Sequence, residues 1–191
     1  MRAPRGQALK DLDKMPAAIK VSAQSTSKKV AAALAHIARA KHDVQIQAIS
    51  PSNLNTAIKA VAIARTYLAK DGIDCAFTIE FRDDKHASFT IKFVVFQQRF
   101  DAFMDGQMHV KMTTKPEALA GALCARLRDQ EAPSPVVSCI GAGIVNKALI
   151  ALALATQYMK EDSIYYCPFF ENEPNEKGEK LTVLKIGLIK A

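Results

Sequence analysis

Residues 19–95 and 108–190 are two copies of one pattern, and this constrains the fold more than any other feature of the chain. The best-matched stretch runs from Ile46 to Ala64 and again from Val137 to Ala155. Asn55 recurs as Asn146, Ala57 as Ala148, Ala60 as Ala151, Ala62 as Ala153, Ala64 as Ala155 and Tyr67 as Tyr158. A duplication fixes the unit of folding. Units of about 80 residues sit near the lower limit for a self-sufficient core, so the two copies are expected to pack together. The copies can also be compared, and a position where they differ marks where one has diverged.

The chain has 191 residues, 49% hydrophobic and 24% charged, as in ordinary globular proteins. Its longest apolar run, residues 148–155, is far short of the ~20 residues that span a membrane. The four cysteines, Cys75, Cys124, Cys139 and Cys167, form no Cys-x-x-Cys pair and have no histidine at metal-ligand spacing. They read as reduced thiols in apolar surroundings, which points to an intracellular, cytoplasmic protein. The basic start Met1-Arg-Ala-Pro-Arg5 hints at a targeting peptide, but Asp11 and Asp13 argue against one. Residues 1–17 are therefore read as a flexible or partner-ordered tail.

Net charge is +7, unevenly spread: +2 over residues 1–17, +6 over 18–100 and −1 over 101–191. The basic character belongs to the first half, where it invites a polyanion.

Each unit reads β-α-β-α-β-β. In the first (18–96), a strand at 19–23 precedes a helix over 28–41 whose apolar line is Val30, Leu34 and Ile37. A strand at 44–49 is broken by Ser50-Pro-Ser-Asn53, which caps a second helix ending near Lys70. Strands at 75–81 and 89–96 form a hairpin around the turn at 82–86. Residues 97–107 link the units, and Phe100, Phe103 and Met104 predict that the linker packs. The second unit (108–191) repeats the order with strands at 108–112 and 136–140, a proline-opened helix at Lys115-Pro-Glu117, and a second helix after Gly141-Ala-Gly143. Its hairpin strands, 165–171 and 181–189, flank a longer loop at 172–180.

The second helix of the second unit is apolar all round, because Lys59 is replaced by Ile150 and Arg65 by Thr156. Such a helix needs cover on more than one side. The other copy is expected to supply part of it and a protein partner the rest.

Residues Lys20-Val-Ser-Ala23, Ile46-Gln-Ala-Ile49 and Asn55 through Arg65, with looser matches at Ala120-Gly-Ala-Leu123 and Ile140-Gly-Ala-Gly143, resemble the stage V sporulation protein S family, an Alba-like branch. The resemblance implies an α+β fold of two tandem β-α-β-α-β-β units, a pseudo-dimer within one chain. It also implies nucleic-acid contacts after the first strand, at the second helix start and on the hairpin. In the first unit those positions are Lys28 and Lys29, then Ser50, Ser52, Asn55 and Lys59, then Arg82 and Lys85. The chemistry is sensible, since cations neutralise phosphates and helix-start groups hydrogen-bond them. The second unit departs from the pattern: Glu117 sits beside Lys115, and the hairpin region 171–180 carries four acids and two lysines.

Gly141-Ala-Gly143 lacks the third glycine and the acid of a dinucleotide fingerprint, so no nucleotide cofactor is expected. The four histidines have no telling partners, and no nucleophile–base pair or metal set stands out. The sequence therefore predicts a non-enzymatic nucleic-acid-binding protein that is mainly electrostatic and weakly sequence-specific, acting through its first unit. The alternative is a structural subunit of a larger assembly, cytoskeletal, axonemal or another particle, using the fold to bind protein.

Overall fold

A computed structural model describes residues 17–40, 44–83, 88–100, 106–175 and 177–191. In chain order the first unit contains β1 (Ala17–Lys20), α1 (Ser27–Arg39), β2 (Val44–Gln47), α2 (Pro51–Leu68), β3 (Asp74–Phe81) and β4 (Phe89–Phe96). The second contains β5 (Gln107–His109), α3 (Pro116–Arg128), β6 (Val136–Cys139), α4 (Ala142–Tyr158), β7 (Ile164–Pro174) and β8 (Lys180–Lys190). The order is the β-α-β-α-β-β expected of each copy, and the fold is α+β.

The eight strands make one continuous sheet, β1-β2-β4-β3-β7-β8-β6-β5. The halves of this order mirror each other about the β3–β7 seam. Both crossovers of a unit step the same way across the sheet, so right-handed connections put both helices on one face. Antiparallel strands are related by a local dyad normal to the sheet, so the second unit's helices share that face. Phe77 pairs with Tyr166, the counterpart of Cys75, which puts Ala76 and its counterpart Cys167 on the pseudo-dyad.

The helices show why the two copies fold alike. α1 buries Val30, Ala31, Leu34, Ala35 and Ala38; α3 buries Leu119, Ala120, Leu123, Cys124 and Leu127 at the matching positions. That stripe at helical spacing is what the core needs. α2 starts at Ser50, whose hydroxyl accepts from the Asn53 amide at 3.2 Å, with Pro51 in the first turn. A short 3-10 turn follows it and stops at Gly72, which takes φ +69, a left-handed conformation glycine adopts without strain.

Two sequence expectations are corrected. β1 and β5 are shorter than expected, because a repeated turn draws the chain away. The Ser22 amide donates to Ser25 Oγ at 3.0 Å, and the Lys111 amide donates to Thr114 Oγ1 at 2.9 Å. The loop expected over 172–180 is shorter: β7 runs to Pro174 and β8 restarts at Lys180, with Asn172, Glu173 and Pro174 paired to Thr182, Leu181 and Lys180. The result is a two-stranded arm reaching beyond the rest of the sheet. Much of α4 is covered within the chain: Leu149, Ala151, Leu152, Ala153, Leu154 and Ala155 are buried, Ile150 is half-buried, and the helix packs on α2, α3 and strands of both units.

The seam carries the one buried ion pair among the described residues in which both partners are sealed from water. Arg65 on α2 is 6% exposed and Asp74 at the start of β3 is fully buried. The guanidinium donates to the carboxylate at 2.6 and 2.7 Å and reaches across to the Pro168 carbonyl of the second unit at 3.2 Å. The Cys75 and Phe100 amides also donate to Asp74, at 2.8 and 2.9 Å. Burial alone would push this carboxyl up, but the Arg65 hydrogen bonds and the two amides outweigh it and hold the carboxyl below the usual range. Thr156 stands where the first unit has Arg65, and the contact there is neutral: Tyr166 OH, one residue past the counterpart of Asp74, donates to the Leu152 carbonyl at 2.8 Å and meets the Thr156 hydroxyl at 2.7 Å.

The Phe100 amide on Asp74, the Arg99 guanidinium on the Arg65 carbonyl at 3.3 Å, and edge-on rings at Phe96–Phe100 all bear on the linker. They show that residues 97–100 pack, as expected. Phe103 and Met104 lie outside the described residues.

Candidate nucleic-acid interface

β1, β2 and β3 all run the same way, because β1 is parallel to β2 and both β2 and β3 are antiparallel to β4. Their C-terminal ends therefore share one edge of the sheet. Lys28 and Lys29 follow β1, Ser50 and Ser52 follow β2, and Arg82 follows β3, so topology gathers these five residues on that edge. The second unit's matching edge lies at the opposite end of the sheet, because β7 is antiparallel to β3.

On the first-unit edge Lys28, Lys29, Ser52 and Arg82 are exposed. None of the three cations takes part in an ion pair between described residues. Ser50 is engaged as the α2 cap. Lys85 lies outside the described residues.

Asn55 and Lys59 do not join the others. Both are half-buried and line a crevice of about 300 Å3 with Cys139, Gly141, Val145 and Phe170 of the second unit. Asn55 Oδ1 is buried there without a hydrogen-bond partner.

The opposite edge has the opposite chemistry. The counterpart of Lys28 is Glu117, and that of Arg82 is Glu173. Part of the arm's acid is spent internally. Lys185 on β8 is 1% exposed, is held by Glu171 and by Glu173 (2.6 Å), and donates to Gln107 Oε1 at 3.0 Å. Burial would lower this lysine's pKa, but the bonds to the two glutamates raise it above the ordinary value. Ser138, its cross-strand neighbour, has a buried hydroxyl with no partner. A serine facing a lysine resembles a nucleophile–base pair, yet a lysine held charged by two carboxylates is the reverse of a base.

The four thiols are buried, and burial pushes each pKa up, to about 12 at Cys139 and at Cys167. Such thiols are poor nucleophiles at neutral pH. No group of three or more potential metal ligands occurs among the described residues, and no described helix is long and apolar enough to cross a membrane.

Sequence reasoning missed the second unit's contribution to the first-unit edge. α4 runs back across the seam, and its last turn, with the turn that follows it, brings Thr156, Gln157 and Lys160 against Glu80, Phe81, Arg82 and Asp83, around a cleft of about 350 Å3. The signal was faint: two polar residues and a lysine at the end of an otherwise apolar helix.

Two stretches of the chain, residues 17–98 and 106–191, match the family model described as Stage V sporulation protein S (SpoVS). The two matches coincide with the two halves of the sheet.

Proposed function

Because the chain belongs to the stage V sporulation protein S family, with two tandem copies of its unit, we infer that it is a nucleic-acid-binding protein acting through the basic edge of its first unit. The observation that carries this reading is the placement of Lys28, Lys29 and Arg82, exposed and outside any ion pair of the described residues, on one edge of one sheet. Exposed cations along an edge neutralise phosphates and release counterions without reading bases, so binding is salt-sensitive and weakly sequence-specific. The acidic second-unit arm opposes a symmetric two-armed grip, since Glu117 and Glu173 stand where Lys28 and Arg82 stand in the first unit. No catalytic arrangement is proposed.

The test is fluorescence anisotropy with labelled double-stranded DNA and single-stranded RNA across a salt series. Lys28→Glu with Lys29→Glu should weaken binding to all sequences alike and flatten the slope of log affinity against log salt by about 1 per lysine. Unchanged binding would remove this edge from the site.

A second reading, a subunit of a protein assembly, draws on apolar side chains left in water. Ile140 is 54% exposed and Met112 69% exposed, both at second-unit turns, and Phe170 lies open at the base of the arm. Shortening the arm between Glu173 and Leu181 should release the protein from such an assembly in a pull-down while leaving polyanion binding intact.

A further inference from the structure

We propose that the cleft between Arg82 and Lys160 takes one unstacked nucleotide, so that the basic edge binds single-stranded nucleic acid in preference to a duplex. The inference rests on the nucleic-acid reading above and names the form of ligand that edge takes. The cleft exists because the two units share a sheet: Glu80, Phe81, Arg82 and Asp83 form one wall, and Ala153, Thr156, Gln157 and Lys160 form the other. Its volume, about 350 Å3, is that of a small-molecule site and suits a base with its sugar. A paired base in a duplex cannot enter such a space, whereas a single strand can splay a base out.

The side chains divide by role. Arg82 and Lys160 are exposed, come from opposite walls, and belong to no ion pair of the described residues, so a phosphate can lie between them. Gln157 is exposed, and its amide offers both donors and an acceptor to a base edge. Glu80 repels a phosphate from the interior but accepts from exocyclic amino groups, as carboxylates do with cytosine; Asp83 already accepts from Ser88 Oγ at 2.7 Å and shapes the wall. This polarity puts the base inside and the phosphate at the mouth. Thr156 is already committed to Tyr166 and the Leu152 carbonyl, so it shapes the wall rather than binding.

The experiment uses the full chain and anisotropy at one fixed salt, with labelled single-stranded 12-mers in ribo and deoxy form and a duplex of equal length. Wild type is compared with Gln157→Leu, Lys160→Glu and Lys28→Glu/Lys29→Glu, each checked for folding by circular dichroism. Gln157→Leu carries no charge change, so its effect cannot be general electrostatics. The expected result is single-strand binding about tenfold or more tighter than duplex, and a loss of about tenfold in Gln157→Leu for single strands with duplex binding unchanged. Lys160→Glu should lose at least as much. A difference between ribo and deoxy strands would assign a contact to the 2′-hydroxyl. If Gln157→Leu leaves single-strand binding unchanged while Lys28→Glu/Lys29→Glu abolishes it, the cleft proposal falls and the basic edge stands. If wild type binds neither form, the nucleic-acid reading itself falls.

Discussion

Arg65→Met is the most informative single change for the fold, because it strips one partner from the buried pair that ties the two units. Asp74 would keep its charge at zero exposure with only the Cys75 and Phe100 amides left, and Pro168 would lose its donor from across the seam. Breaking a buried pair this way costs about 3–5 kcal/mol. Asp74→Asn keeps the shape but only one of the two amide contacts, because Cys75 and Phe100 donate to different oxygens and one of these becomes an NH2; it also leaves the guanidinium without its counter-charge, and falls in the same range. The double variant removes both charges and should cost about 1–2 kcal/mol, less than either single change, so the pair's coupling is large. The chain has no tryptophan, so urea unfolding is followed by far-ultraviolet circular dichroism. Single changes that simply add in the double variant would refute the pairing argument.

The pH dependence gives an independent check. Asp74 is held below its unfolded pKa of about 4, so its stabilisation is present above that value and fades as pH falls through the folded value. In Arg65→Met the same buried carboxyl has lost its cation, its pKa rises, and protonation favours the folded state. The gap between wild type and variant should therefore start to shrink above about pH 4, where the variant's carboxyl takes up its proton, and go on shrinking until pH falls through the lowered wild-type value. A gap that stays constant from pH 7 to pH 3 would mean that the loss came from packing and not from charge.

Other outcomes follow from the same contacts. Tyr166→Phe removes a fully buried hydroxyl that donates to the Leu152 carbonyl, and should cost about 1–2 kcal/mol in urea unfolding. With the Tyr166 hydroxyl gone, Thr156 Oγ1 keeps only its bond to the carbonyl four residues back on its own helix, a bond that adds little to a helix, so Thr156→Ala in the Tyr166→Phe background should add little. A thiol reagent should leave the native protein unmodified at pH 8 and label four cysteines in urea, because burial both shields the thiols and raises their pKa. Asn55→Ala removes a buried oxygen that has no partner, so the midpoint of unfolding should not fall; a drop of more than ~1 kcal/mol would reveal a bond at that side chain.

Much of the fold could be read from the residues because its signals are local. The alternation of Phe89, Ile91 and Phe93, the Ser50-Pro51 cap and the line of Val30 and Leu34 each reflect a neighbour relation within a few residues, while Ile37 on that line is only half-buried. The union of the two sheets left no such trace. It depends on the Phe77–Tyr166 pairing between residues far apart in sequence, and both read as ordinary core aromatics. Arg65 was visible as a charge within an alanine-rich helix, but its partner Asp74 read as one more acid before a strand. Which elements cover α4 was equally hidden, because its contacts with α2 and β3 join residues far apart in the chain. The arm hid behind composition: Asn172, Glu173 and Pro174 look like loop, yet they pair with Thr182, Leu181 and Lys180. At the interface, the exposed cations could be named one by one, whereas Gln157 and Lys160 joined them only through the path of α4.

The covalent link explains why the copies could part company. In a symmetric dimer every seam residue occurs twice, so an arginine at the position of Arg65 would bring a second one into the same dry seam, each needing its own buried acid. Fusing the copies removes that condition. Here one side of the seam is filled by Arg65 with Asp74 and the other by Thr156 with Tyr166, so only one buried charge pair has to be satisfied. The same freedom separates the edges: Lys28 and Arg82 on one, Glu117 and Glu173 on the other. Glu173 in turn helps hold Lys185, so the acidic copy of the hairpin position has become part of the arm's own structure. Restoring symmetry at that one position, Glu173→Arg, should therefore loosen the arm by setting two cations against each other at Lys185, and should fail to create a second polyanion site. Hydrogen exchange faster across Glu171–Leu181, with no gain in polyanion affinity, is the expected result; a gain in affinity with the arm still protected would show that the second edge had lost binding through charge alone.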